Sequence, residues 1–194
     1  MRRADLLAFL ADEIVARKRE DRPLKVGIDG RCAAGKTILA DELGRVLGAR
    51  GFEILRPSVD GFHHPREHRY RQGEYSARGY YEDAYDYVAV IRWLTGPLPE
   101  NTILLFEGIF VFRSLINAYW DYRILVDVDA GTSLARSVIR DTGLIGTADV
   151  VRRRMEVRYG PAWKMYVAEE DPEGRADVVI DNREVDNPLI LKSA

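Results

Sequence analysis

A glycine-rich stretch near the N-terminus has the residue types and spacing of a phosphate-binding loop. Residues 30–37 match the pattern G-x-x-x-x-G-K-[ST] at every fixed position. In such a loop, backbone N–H groups surround the phosphates of a nucleotide, the lysine reaches the β- and γ-phosphates, and the hydroxyl binds Mg²⁺. We therefore predict binding of ATP with Mg²⁺, with Lys36 also catalytic and Thr37 also a metal ligand. The predicted ATP-binding residues of the loop are Gly30, Arg31, Cys32, Ala33, Ala34, Gly35, Lys36 and Thr37.

The residues on either side of this loop support that interpretation. An apolar stretch over residues 25–29 predicts a strand before the loop, and an amphipathic pattern predicts a helix from Lys36 to Arg50. The positive end of that helix would point at the phosphates. The alternative is a chance match in a glycine-rich turn, and the strand, loop and helix in succession favour the functional interpretation.

Two carboxylates follow predicted strands elsewhere in the chain. Asp60 follows the predicted strand 52–59, and Glu107 follows the apolar run 102–106. In an open α/β sheet the ligand site lies at the C-terminal ends of the strands. We predict that Glu107 holds Mg²⁺, and that Asp60 lies near the metal and accepts the proton of an attacking hydroxyl. Either acid alone could instead cap a helix or face solvent. Together with the phosphate-binding loop, the two acids favour an enzyme that transfers the γ-phosphate to a hydroxyl.

The elements that must position these residues follow an alternating order. Apolar runs at 102–106, 123–128 and 176–180 are typical of parallel strands covered on both faces. Helical patterns occur at 4–19, 83–94, 111–119, 132–141 and 147–168, and Tyr159-Gly160-Pro161 is predicted to break the last of them. This alternation predicts right-handed βαβ units in a three-layer α/β fold. We predict a single domain over residues 1–194, with 4–19 as a leading helix.

Residues 62–82 lack a clear period. They contain two adjacent histidines, four arginines and four tyrosines. We predict an irregular insertion on the acceptor side of the site, since loops near a sheet edge often carry function. The predicted acceptor contacts are Asp60, His63, Arg66, Tyr81 and Asp83. The alternative is a solvated charged loop; a zinc site is not expected because no cysteine lies near the histidines.

The overall composition excludes several classes of partner. The chain is 46% hydrophobic and 31% charged with a formal net charge of −2, so no basic field attracts nucleic acid or an anionic membrane. No apolar run is long enough to span a bilayer. A single cysteine, Cys32, suits a reducing compartment. We predict a cytoplasmic protein that acts on a small molecule, with a homo-oligomer left open.

Four blocks in family order resemble the uridine kinase, phosphoribulokinase and pantothenate kinase group of P-loop kinases. They are 26–30 (VGIDG), 59–63 (VDGFH), 104–110 (LLFEGIF) and 123–130 (RILVDVDA). The resemblance implies a P-loop kinase fold with a five-stranded parallel sheet of order 2-3-1-4-5. It also implies that Asp60 is the base, that Thr37 and Glu107 lie near Mg²⁺, and that a helical lid covers about 136–170.

Further nucleotide contacts also come from this resemblance. Arg140 aligns with a lid arginine that neutralises charge on the transferring phosphoryl group, and Arg136 lies one helical turn before it. The loop after the last strand lines the adenine in this fold, which implies contacts from Asn182 and Arg183.

Departures from the uridine kinase pattern concern the acceptor. Only 15 residues separate Asp86 from Thr102, too few for the family's base-recognising β-hairpin. The family's ribose-binding aspartate has no equivalent unless Asp83 replaces it, and residues 143–147 replace an arginine-rich lid turn. We predict a small-molecule kinase, uridine kinase-like, with a nucleoside acceptor favoured. A same-fold kinase for pantothenate, a sugar or a sugar acid remains an alternative, as does a nucleotide-dependent switch or ATPase module.

Overall fold

A twisted sheet between two helical layers positions the site residues. The computed structural model describes residues 1–193, in which six strands form one sheet of order β2-β3-β1-β4-β5-β6. The strands are β1 (Leu24–Asp29), β2 (Glu53–Leu55), β3 (Thr102–Gly108), β4 (Tyr122–Asp127), β5 (Val178–Asp181) and β6 (Leu189–Ser193). Strands β1 to β5 are parallel, and β6 is antiparallel to β5.

Helices cover both faces of this sheet. They are α1 (Arg3–Arg17), α2 (Lys36–Ala49), α3 (Arg66–Arg69), α4 (Ala77–Asp83), α5 (Tyr87–Leu94), α6 (Ser114–Asn117), α7 (Ala130–Asp141), α8 (Ala148–Arg154), α9 (Gly160–Glu170) and α10 (Pro172–Arg175). Because side chains alternate along a strand, β3 contributes to two separate cores. Ile103 and Leu105 pack with α1 and α2, whereas Leu104 and Phe106 pack with α4, α5 and α9.

The predicted fold class and the strand order 2-3-1-4-5 are confirmed, with one strand added. The added strand, β6, covers the outer edge of β5 and leaves Leu189 and Leu191 exposed. The short run before the C-terminus has no alternation of apolar and polar residues, so its sequence does not indicate a strand. Within residues 1–193, no helix is long and apolar enough to cross a bilayer.

The second strand is much shorter than the predicted span 52–59. Only Glu53–Leu55 pair with β3, because Pro57 has no N–H to donate to a sheet. Ser58 forms a single bridge with Glu107, and a 3₁₀ turn follows over Val59–Phe62. The chain therefore leaves the sheet before it reaches Asp60.

The predicted break at Tyr159-Gly160-Pro161 is wrong. A π-helical turn over Met155–Tyr159 joins α8 to α9, so the helix continues through the proline. Pro161, which has no N–H to donate to a helix, follows the π turn directly in the first turn of α9. Gly160 approaches the Met155 carbonyl so closely that an added Cβ would lie 2.8 Å from that oxygen.

Residues 62–82 are more ordered than predicted, and the stretch before β3 is as short as expected. Two short helices, α3 and α4, interrupt the predicted irregular insertion, and Ser76 caps α4 by accepting from the Gly79 amide. The predicted helix 111–119 contracts to Ser114–Asn117. Residues 95–101, between α5 and β3, contain no strand, so no hairpin stands there.

Candidate active site

The loop before α2 has the shape of a phosphate cradle. Gly35 has φ of 101°, and a Cβ added there would lie 2.5 Å from the Asn182 side-chain nitrogen. A Cβ at Gly30 would overlap the Val126 carbonyl. Both glycines are therefore required for the close backbone path, as in a loop that surrounds phosphates. Lys36 begins α2, and its ammonium group donates to the Arg31 carbonyl at 2.9 Å.

Close packing brings the Asp60 turn to the end of β3. The Glu107 amide donates to the Pro57 carbonyl at 3.1 Å, so residue 107 lies beside the chain that leads to Asp60. Gly108 leaves room for the next contact, because a Cβ there would overlap the Val59 side chain. The Ser58 hydroxyl accepts from the Asp60 amide at 3.2 Å and starts the 3₁₀ turn. Two acids far apart in sequence therefore lie at one edge of the sheet.

A cavity of about 350 Å³ opens at this edge. It brings together the predicted residues Cys32, Ala33, Lys36, Thr37, Asp60, His63, Glu107 and Arg140. Glu107 is 7% exposed, whereas the Asp60 side chain is 70% exposed and accessible to a ligand. The arrangement places a lysine, a hydroxyl and two carboxylates around one volume, the groups that phosphoryl transfer uses.

Two aromatic side chains hold Asp60 in place. The buried Tyr85 hydroxyl donates to Asp60 Oδ1 at 3.1 Å, and the ring of Tyr85 stacks on His63 at 4.6 Å between centroids. The His63 Nδ1–H donates to the Asp60 carbonyl at 2.9 Å, which leaves Nε2 3.9 Å from Oδ1. Burial raises the pKa of Tyr85 well above its ordinary value, so the phenol stays protonated. Burial lowers the pKa of His63, which favours its neutral form.

A second cavity, of about 490 Å³, lies on the other side of the cradle. The two cavities share Ala33, Lys36, Thr37 and Arg140, so one ligand can occupy both. The remaining lining includes Gly35, Arg136, Asn182 and Arg3. An elongated nucleotide with its phosphates on the cradle suits this arrangement.

The structure gives the predicted nucleotide contacts different environments. Arg136 donates to the Asn182 and Arg183 carbonyls at 2.9 Å each, so it secures the loop that follows β5. The Arg140 guanidinium pairs with Asp141 at 2.6 Å. Asn182 donates to the Ala34 carbonyl at 2.7 Å and supports the cradle from behind.

Four predicted nucleotide contacts line neither cavity: Gly30 and Ala34, which are buried in the loop, and two arginines. The Arg183 guanidinium pairs with Asp181 at 2.6 Å and lines a separate cavity with Thr132. The Arg31 guanidinium lies 5.5 Å from the Trp163 ring, between α7 and α9. Adjacent residues point in different directions, so membership of a motif does not bring every side chain to the ligand.

Three predicted acceptor contacts also lie outside the 350 Å³ cavity. Arg66 is exposed and stacks on Tyr70 at 4.9 Å. Tyr81 is buried beneath Arg113, whose guanidinium is 4.3 Å from the ring. Asp83 is 2% exposed and accepts from Arg71 and Gln72. The last two residues support the segment instead of facing an acceptor.

Other side chains from residues 69–85, from the end of α8 and from the π turn form the acceptor wall. Its members are Arg69, Tyr70, Tyr80, Tyr85, Arg154, Arg158 and Tyr159. The abundance of arginine and tyrosine in 62–82 indicated the residue types but not which of them face inwards. Arg154 and Arg158 are four residues apart, the spacing that places two side chains on one helical face.

Asp29, which no motif identified, links three parts of the site. It is fully buried at the end of β1, and Oδ1 accepts from the amides of Gly30 (2.6 Å) and Phe110 (3.1 Å). The other oxygen accepts from the Phe112 amide and the Tyr166 hydroxyl. Burial raises the pKa of this carboxyl above its ordinary value. The cradle, the turn after β3 and helix α9 therefore share one anchor.

The donor set suits Mg²⁺ and not a metal held by protein alone. Among residues 1–193, no group of three or more His, Cys, Asp or Glu side chains is placed to hold a metal ion. Mg²⁺ keeps several waters and binds through one or two carboxylates plus substrate phosphates. Thr37, Glu107 and Asp60 line the same cavity and fit that pattern.

Known proteins resemble the chain in both sequence and fold. Uridine-cytidine kinase B of Dictyostelium discoideum is 28% identical over 195 residues, covering 87% of this chain and 78% of that protein. A possible uridine kinase from Bacillus stearothermophilus superimposes with a TM-score of 0.73 at 24% identity, covering 91% of this chain and 97% of that one. The chain is uridine kinase-like.

A further solved structure shows how broadly the fold is used. A kinase assigned provisionally to a fructose transport system of Silicibacter sp. TM1040 has a TM-score of 0.70 at 20% identity, covering 84% of this chain and 94% of that one. No protein-family model matches the chain. Together the similarities support a phosphotransferase that uses a hydroxyl group as acceptor.

Proposed function

We propose that this protein transfers the γ-phosphate of ATP to a hydroxyl group of a small molecule, with Mg²⁺ as cofactor. The observation that carries the proposal is the single cavity lined by Lys36, Thr37, Asp60 and Glu107. A P-loop alone would indicate only nucleotide binding. A carboxylate accessible to a ligand beside the cradle adds the group that accepts a proton from an alcohol.

In this mechanism the cradle amides and Lys36 hold the phosphates of ATP, and Arg140 neutralises charge on the transferring group. Asp60 orients the acceptor hydroxyl and takes its proton, while the hydroxyl oxygen bonds to the γ-phosphorus and the β–γ bridging bond breaks. Tyr85 holds the Asp60 carboxylate through its 3.1 Å hydrogen bond. Mg²⁺, held by Thr37 and Glu107 with Asp60 nearby, would neutralise charge on the phosphates.

The name of the Dictyostelium relative suggests a nucleoside as acceptor. A second candidate, an acceptor such as a sugar acid, is favoured by the absence of a hairpin before β3 and by the arginines of the wall. The end of α8 and the π turn, through Arg154, Met155, Arg158 and Tyr159, supply one side of the cavity in the role of a lid. A cytoplasmic location and a homo-oligomer stay predictions.

The test is Asp60→Asn, measured by ADP release with ATP·Mg²⁺ and by nucleotide binding. We expect a loss of turnover of about 10²-fold or more, because the amide cannot accept the proton. ATP binding should stay nearly unchanged, since Asp60 does not line the 490 Å³ cavity on the other side of the cradle.

Two results would contradict the assignment. Undiminished turnover in Asp60→Asn would remove the residue from the base role. ATP hydrolysis that consumes no small-molecule acceptor, and that rises with a protein partner, would favour a switch or ATPase module. Glu67→Gln, an exposed acid on α3, is the matched control and should behave as wild type.

A further inference from the structure

The cavity around Asp60 has more positive charge than the proposed reaction uses. Five cationic side chains line it: Lys36, Arg69, Arg140, Arg154 and Arg158. Lys36 serves the nucleotide phosphates, and Arg140, whose guanidinium pairs with Asp141 at 2.6 Å, is assigned to the transferring phosphoryl group. The Asp60 carboxylate is assigned to accept the hydroxyl proton, and the Glu107 carboxylate is assigned to hold the metal. Three arginines on the acceptor side remain.

Arg158 is the scaffold of this wall. It is 3% exposed and donates to the carbonyls of Glu74 and Ser76 at 2.8 and 3.1 Å. Its guanidinium also lies on the rings of Tyr70 and Tyr80 at 4.9 and 5.2 Å. These contacts, whose hydrogen bonds all come from Nη1, fasten the turn before α4 to the π turn.

Arg69 is different because no carboxylate pairs with its charge; its guanidinium lies 5.6 Å from the centre of the Tyr70 ring. Over residues 1–193 it forms no salt bridge, and its Nε–H is buried without a hydrogen-bond acceptor. It lines the same cavity as Asp60 and His63. A guanidinium with an unpaired buried donor therefore stands beside the proposed base.

Arg154 supplies a second unpaired donor in the acceptor wall. One of its terminal nitrogens pairs with Glu74 at 2.6 Å, while its buried Nε–H has no acceptor among the described residues. A buried N–H without a partner costs free energy, and the cost is larger when the group is charged. An incoming anion would relieve this cost at both arginines.

We infer that the acceptor is an anionic hydroxyl compound, carrying a carboxylate or phosphate group that binds Arg69 and Arg154 while its hydroxyl faces Asp60. This inference rests on the proposed function. The planar guanidinium matches carboxylate and phosphate oxygens better than it matches neutral groups. The product is ADP and a phosphate ester that retains the original anionic group, with the hydroxyl proton on Asp60.

The main experiment compares pairs of acceptors in which one terminal hydroxymethyl group is replaced by a carboxylate or is esterified with phosphate. The full chain is assayed for ADP release with glycerol and glycerate, ribitol and ribonate, ribose and ribose 5-phosphate, and with uridine and cytidine. We expect at least one anionic compound to exceed its neutral partner and both nucleosides in kcat/KM by about 10²-fold, as two charged hydrogen bonds allow. The carboxylate and phosphate pairs distinguish the two kinds of anion.

A binding measurement in the presence of ADP·Mg²⁺ detects acceptors that bind but react slowly. The same compounds are tested for their effect on the Tm, and an anionic compound should raise it where its neutral partner does not. A neutral compound or nucleoside that equals or exceeds every anionic compound in both assays overturns the inference. So does a panel in which no anionic compound outperforms its neutral partner.

Two variants test whether the preference for an anionic acceptor comes from Arg69 and Arg154 of the acceptor wall. Arg69→Gln and Arg154→Gln should each raise the KM of the anionic acceptor by about tenfold to 10²-fold and leave the KM of ATP within about twofold. Arg69→Lys keeps the charge without the planar fork and should recover part of the loss. Arg66→Gln is the matched control, because Arg66 lies on α3 but outside the cavity.

The variants also separate this inference from the proposed function. If Arg69→Gln raises the KM of ATP and not that of the acceptor, Arg69 serves the nucleotide and the inference is overturned. Turnover of a neutral acceptor alone would leave the kinase proposal standing and remove only the anionic acceptor. Failure of the kinase proposal would instead appear as no ADP release with any compound and no ATP binding that depends on Lys36.

Discussion

Contacts with two neighbouring side chains restrict the orientation of the proposed base, Asp60. The Asp60 carboxylate is open to ligand, but Tyr85 and His63 restrict where it can turn. Tyr85 is hydrogen-bonded to Asp60 Oδ1, and burial raises its pKa so that it remains a donor. Proton transfer is faster when the base is already held in the productive orientation before the acceptor binds.

Tyr85→Phe tests this positioning role. The substitution keeps the ring stacked on His63 and removes only the hydroxyl. We expect kcat to fall about fivefold to tenfold, the effect of losing one hydrogen bond of about 1 kcal/mol, with little change in the KM of ATP. Steady-state kinetics over pH checks it. An unchanged kcat at every pH would mean that Asp60 needs no support from Tyr85.

Asp83 has a structural role that depends on pH. Burial by itself would raise its pKa, but hydrogen bonds from Arg71 and Gln72 outweigh burial and lower the pKa. The folded protein therefore binds this proton less well than the unfolded chain does. The resulting stabilisation is present above the unfolded pKa of about 3.9 and is lost as the pH falls through the lower folded value.

Asp83→Asn should therefore be destabilising only where the carboxylate is ionised. At pH 7 we expect a Tm about 2–4 °C below wild type, the effect of on the order of 1 kcal/mol in a domain of this length. The difference should narrow as the pH falls below about 4. Thermal unfolding followed by circular dichroism at several pH values measures it, and a difference that stays constant with pH would refute the ionic explanation.

Among the elements, β1 and α9 are joined through one carboxylate. Asp29 accepts from Gly30, Phe110, Phe112 and Tyr166, so it connects the cradle, the turn after β3 and the helix beside the acceptor wall. All of these donors lie away from water, where a lost acceptor is costly. We therefore regard Asp29 as a positioning residue of the site.

Asn at position 29 would present an N–H₂ group to donors that now meet an oxygen. We expect Asp29→Asn to lose about 2 kcal/mol or more of unfolding free energy, because one or two buried donors lose their acceptor. Urea unfolding measures the change. Asp149→Asn is the control, since the side chain of Asp149 is 92% exposed. Equal stability of the two variants would show that Asp29 is not an anchor.

Across the whole molecule, the nucleotide cavity is built from segments far apart in sequence. Arg3, on α1, bonds to Glu42 of α2 at 2.7 Å and to the Asn182 side chain at 3.2 Å. The loop after β5 is thereby held between the N-terminal helix and the cradle. A ligand bound there contacts both sequence ends of the fold and should stabilise it as a unit.

ATP·Mg²⁺ should accordingly raise the Tm of the folded protein. At a concentration 100 times Kd, the expected gain is about 2.7 kcal/mol, or roughly 5–10 °C for a domain of this length. A thermal shift assay measures it, with AMP as the comparison ligand because it lacks the β- and γ-phosphates. Lys36→Ala should lose most of the shift, and an equal shift from AMP would contradict binding through the cradle.

Local sequence patterns were sufficient for the alternation of strands and helices, the cradle and the two acids, whereas the strand order came from the family resemblance. Each depends on neighbours in the chain: a run of apolar residues makes a buried strand, glycine permits a positive φ, and an acid after a strand lies at the sheet edge. The prediction over 62–82 failed for Arg66, Tyr81 and Asp83 because these residues do not line the cavity.

Only the tertiary structure decided which polar side chains face the acceptor. Arg154 and Arg158 reach the wall because a π turn lets the helix continue past Pro161, and that turn depends on Gly160 lying against the Met155 carbonyl. Asp29 became an anchor because strands and a helix distant in sequence bring four donors to it. Chain-local rules select residue types and spacings, whereas the direction of a side chain in a crowded wall depends on packing between elements far apart in the chain.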